Sequence, residues 1–69
     1  MVHIFKTDVQ HQQDADRIIL ALSKTYPGYE FNFDLEDCDN ILRMKGAKIK
    51  AITIINNLGV LGYTCIELH

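Results

Sequence analysis

A chain of 69 residues, 48% hydrophobic and carrying a formal charge of −2 from seven Lys and Arg against nine Asp and Glu, has room for one small domain with a modest core. Its basic residues are scattered rather than gathered into the positive stripe that a phosphate backbone demands, which excludes nucleic acid as the expected ligand. No apolar run is long enough for a membrane span, no charged-then-apolar start reads as a signal peptide, and Cys38 and Cys65 form no CxxC, so a cytoplasmic protein with reduced thiols is expected.

Taken in chain order, the hydrophobic period switches between two and about 3.6 residues. Residues 2–7, VHIFKT, are β-branched and aromatic and predict a strand; Ile4 and Phe5 fall on opposite faces, which leaves its inner side open. Asp8 is placed to cap a helix. From His11 to Ser23, Ala15, Ile18, Ile19 and Leu22 share a helical stripe with Tyr26 one turn on, while Asp14, Asp16, Arg17 and Lys24 lie mostly off it. Pro27 and Gly28 end that helix. In YEFNFDL, residues 29–35, Tyr29, Phe31, Phe33 and Leu35 alternate with Glu30, Asn32 and Asp34, the pattern of a strand with one wet face. EDCDN supplies turn residues, and ILRMK returns as a strand with Leu42 and Met44 inward. After Gly46, AKIKAITIINNLG predicts a second helix with Ala51, Ile52, Ile55 and Leu58 on its apolar stripe and Asn57-Leu58-Gly59 as its stop, against the β propensity of its many isoleucines. A last strand is expected from about Val60 to Leu68.

The order βαββαβ is the ferredoxin-like split βαβ pattern: an α+β domain over residues 1–69, with two helices on one face of a four-stranded antiparallel sheet and the other face left to solvent or a partner. The expected core is Ile18, Leu22, Phe31, Phe33, Leu42, Ile52 and Ile55. In such a sheet the second and last strands are opposite edges, so no Cys38–Cys65 disulfide is expected. No nucleophile has an adjacent base and no glycine-rich phosphate loop is present, so no enzyme is expected. The acidic run DLEDCD, with Asp34, Glu36, Asp37 and Asp39, lacks the spaced ligands and glycine of a calcium loop and reads as a solvated turn.

FKTDVQHQQDADRI, the hairpin return DNILRMKG and the Gly62-Tyr63 pair after the second helix together resemble the heavy-metal-associated domain, the fold of small copper chaperones and of the N-terminal modules of metal-transporting ATPases. The resemblance in element order and length covers essentially the whole chain. In that family the loop from the first strand into the first helix reads roughly GMxCxxC; aligned on it, Val9 stands at the Met, His11 at the first Cys and Asp14 at the second. Both thiolates are therefore replaced. Copper(I) needs soft ligands, whereas an imidazole and a carboxylate three residues apart suit zinc, nickel or copper(II), and two ligands are fewer than a zinc site normally has. The resemblance also implies that the Tyr63 ring packs over this end of the domain.

Plainer readings stand beside these. Asp14 is also an acid in a first helical turn, favoured by the helix dipole, and His11 an exposed loop residue. Cys38 lies in the hairpin turn at the same end, Cys65 reads as a small buried hydrophobe, and neither His3 nor His69 has a partner at ligand spacing. The leading expectation is a non-catalytic interaction module that docks a protein partner, or itself, through its sheet edges or open sheet face. The alternatives are a domain that weakly holds a divalent transition metal at His11 and Asp14, with no other cofactor, and a small-molecule regulatory module of the ACT type, which shares the element order.

Overall fold

The computed structural model describes residues 2–46 and 48–68. The expectations that touch Ala47, as the start of the second helix, and His69 lie outside the described residues. Six elements follow one another: β1 (Val2–Thr7), α1 (Gln12–Thr25), β2 (Glu30–Asp34), β3 (Ile41–Lys45), α2 (Ala51–Val60) and β4 (Cys65–Leu68). The four strands form one antiparallel sheet in the order β2-β3-β1-β4, so β2 and β4 are its edges.

Register shows which side chains share a face. Phe5 lies opposite Leu42, Phe31 opposite Met44, and Thr7 opposite Cys65. All six are buried, and the five apolar ones join Ala15, Ile18 and Leu22 of α1 and Ile54 and Leu58 of α2 in one core. Phe5 thus settles the inner side of β1, and Ile4 points outward. Ile41 is also buried, but on the other face, where the register sets it between Lys6 and Asp34 and outside the main core.

Several expectations are corrected. Ile52 is 56% exposed, and Ile54 takes its place in the core. The reason is that Ala51, Ile54, Ile55 and Leu58 also form a stripe at i, i+3, i+4 and i+7, and with isoleucine at 52, 54 and 55 the sequence supports either stripe. Phe33 and Ile55 are half-buried, Phe33 because it sits on an edge strand. The last strand begins at Cys65, since Val60 closes α2 and Gly62, at φ +96, reverses the chain after it. That backbone conformation suits glycine alone at little cost, and it lets Tyr63 donate its N–H back to the Leu58 carbonyl at 2.9 Å. Among the described residues no helix is long and apolar enough to cross a membrane.

Candidate functional site

Three loops meet at the end of the sheet where β1 passes into α1. The Thr7 N–H donates to the Asp39 carbonyl at 3.1 Å and its hydroxyl to the Asn40 carbonyl at 2.6 Å, which ties β1 to the β2–β3 turn. On the other side the Asp8 N–H donates to the Thr64 carbonyl at 3.2 Å, and the Thr64 N–H returns to Asp8 Oδ1 at 2.9 Å. Asp8 is therefore a clasp between loops and not the helix cap. The N-cap of α1 is His11, whose side chain makes no cap bond. Val9, fully buried between them, anchors the loop into the core.

His11 is exposed and lies one helical turn from Asp14. The Asp14 carboxylate is engaged: Arg17 Nη2 lies 2.9 Å from its Oδ1, and it accepts a hydrogen bond from Tyr63. Burial, and after it the bond to Asp14 and that carboxylate's negative charge, raise the Tyr63 phenol above its ordinary value of 10.0. The chain thus brings Tyr63 to this end of the domain and onto Asp14.

The described residues that gather three ligand atoms are others. Atoms of Asp37, Cys38 and Asp39 lie within 4.8 Å of one another in the β2–β3 turn. Their arrangement has a local account, since Asp37 Oδ1 accepts the Asp39 N–H at 2.9 Å, Asp39 Oδ1 lies 3.6 Å from Lys6 Nζ, and Asn40 takes a left-handed φ of 49. This is an Asx-type turn with solvated carboxylates. Cys38 and Cys65 are both free, Cys38 exposed and Cys65 buried. Burial, reinforced by the charge of Asp8, pushes the Cys65 thiol up to about 11.

His3 has more partners than its spacing suggests. Its Nδ1 is 2.5 Å from a Glu67 carboxylate oxygen on β4, and its ring stacks on Phe5 at 6.2 Å between centroids. Sequence distance hid this pair, 64 residues apart, which only the β1–β4 register brings together.

The outer face of the sheet is divided. On β2 and β3 it carries Glu30, Asn32 and Asp34 beside Lys45 and Arg43, with Arg43 Nη1 3.9 Å from Asp34 Oδ2. On β1 and β4 it carries Val2, Ile4, Ile66 and Leu68, which are 37–60% exposed, and Ile4 lies directly opposite Leu68. Beyond β4, α2 leaves Val60 88% exposed. Sequence reasoning passed over these positions, although β1 and β4 carry apolar residues on both of their faces, which one buried face does not require. No family model matches the chain, and neither does any curated protein.

Proposed function

We propose that the chain is a non-catalytic, cytoplasmic interaction module that docks a protein partner along the β4 side of its sheet. The observation that carries this reading is the contrast between the two sheet edges. The β2 edge is guarded in the way natural edges are, with Glu30 and Asp34 on the strand and Glu36 and Asp37 just beyond it. Along VLGYTCIEL, residues 60–68, the single charge is Glu67, and it turns inward to His3. An edge strand with apolar flanks and no charged guard is the surface on which strand addition works, main-chain hydrogen bonds supplying affinity and side-chain contacts the selectivity.

The element order and the strand order β2-β3-β1-β4 support a ferredoxin-like reading of the fold, in which an open sheet face and two edges are what the two helices leave for partners. In this reading the chain is a heavy-metal-associated scaffold whose loop has exchanged its metal for internal contacts. Val9 fills the core, Asp14 serves Arg17 and Tyr63, and Asp8 clasps Thr64.

Selection of displayed peptides on the immobilised protein tests the reading. It expects enrichment of extended sequences with alternating apolar residues, their binding abolished by Ile66→Lys and retained by Leu20→Lys, an equally exposed apolar site on α1. Failure to enrich any such sequence, or binding indifferent to Ile66→Lys, would reject it.

A further inference from the structure

We infer that the partner on this edge is a second copy of the chain, joined by antiparallel β4–β4 pairing about a two-fold axis at Ile66. The inference rests on the interaction-module reading and names its partner.

The first argument is the thickness of the uncovered surface. Ile66 and Leu68 are exposed on the outer side of β4, and Val60 on its helix side. On that side an open concavity of about 610 Å³ runs along Ile55, Gly59 and Val60 to Cys65, and a Cβ placed on Gly59 would meet nothing within 4 Å. A smaller one of about 240 Å³ lies along the strand ends, between Lys6 to Asp8 and Thr64 to Ile66. A lone extended peptide covers an edge; covering Val60 and Ile66 together takes a strand with a helix stacked beside it. β4 with α2 is such a unit, and two-fold pairing sets α2 beside the partner's α2.

The second argument is register. In an antiparallel pair, residues opposite one another point to the same face, so a symmetric β4 pair must centre on 65, 66 or 67 to match inner with inner and outer with outer. Centring on Glu67 opposes two like charges. Centring on Cys65 pushes Leu68 past the strand, opposite the partner's Gly62. Centring on Ile66 places Ile66 against the partner's Ile66 and Leu68 against the partner's Thr64. Each Glu67 then keeps its His3 and faces the uncharged thiol of the partner's Cys65. One register satisfies charge, apolarity and strand length at once.

The short strand and modest apolar area set this contact at the weak end of protein interfaces, below the roughly 800 Å² per partner of a standard one. Sedimentation equilibrium from micromolar to millimolar protein is therefore expected to show a reversible rise from 7.9 kDa toward twice that mass. Ile66→Lys should remain monomeric throughout with an unchanged circular dichroism spectrum. Val60→Lys, a change at a site too exposed to affect folding, should weaken association about tenfold. Ile66→Cys in a Cys38→Ser background should give a disulfide-linked dimer on oxidation. A wild type that stays monomeric at millimolar concentration, a dimer that survives both lysine substitutions, or an Ile66→Cys variant that does not cross-link would overturn the inference. A monomeric wild type that still binds selected peptides in an Ile66-dependent way would overturn the second copy alone; loss of both would reject the docking surface itself.

Discussion

Two phenylalanines of the sheet show how burial, more than residue type, sets the cost of a substitution. Phe5 is fully buried on a central strand, and Phe5→Ala should destabilise by about 3–5 kcal/mol. Phe33, half-buried on the β2 edge, should cost only about 1–2 kcal/mol when truncated, because part of its ring is already in water. Urea denaturation of the two variants orders them, and equal costs would contradict the core described above. The two cysteines should differ as sharply. Cys38 is exposed and should react at once with a thiol reagent in native buffer, whereas Cys65 should react only on unfolding. Because the folded Cys65 thiol titrates at about 11 against an ordinary 9.0, the fold favours its neutral form. Its contribution to stability is complete below pH 9 and is lost as pH rises from 9 through about 11, so the urea midpoint should fall over that interval, and fall less in Cys65→Ala. At the other end of the domain, His11→Cys with Asp14→Cys should create thiophilic metal binding at the α1 N-terminus, measurable by competition with a copper(I) chelator. The unmodified chain, with its thiols on a turn and on β4, should not retain the ion.

Elements were legible where pattern and burial agree. Strict alternation located β2, and the Ile18 to Leu22 stripe with its Pro27-Gly28 stop located α1, because each has one wet and one dry side. α2 was legible as an element but not in its rotation, since three isoleucines offered two stripes and only packing into the shared core selects Ile54. The β4 boundary was missed because Gly59, read as the helix stop, lies inside α2, and it is Gly62, in its left-handed conformation, that separates helix from strand. Gly62→Ala should accordingly cost on the order of 1 kcal/mol from backbone strain alone. Gly46→Ala should cost more, as a Cβ there would enter the Tyr29 ring and force it off Phe31. Thermal melts of the two variants test this ranking. At the candidate site the sequence located the loop and its neighbour Tyr63, but it could not show that Asp14 is shared between Arg17 and Tyr63, or that Asp8 reaches Thr64. Those contacts depend on where a loop 56 residues away comes to rest.

At the scale of the whole molecule, the two sheet edges give the domain a direction. One side is acidic and guarded by its charges; the other presents Ile66, Leu68 and Val60 along the β4 edge, the surface proposed to take a partner. The end where β1 passes into α1 is knitted together by Thr7 and Asp8, which tie three loops to one another, and on the proposed reading recognition falls to the flank. Amide chemical-shift mapping tests that division most directly, with isotope-labelled protein titrated first with unlabelled protein and then with a selected peptide. The perturbed amides are expected to fall on Cys65–Leu68, on Val60 and on the neighbouring Val2 and Ile4, with the β2 edge and the His11 to Asp14 turn unmoved. Perturbations centred on that turn or on β2 would contradict it.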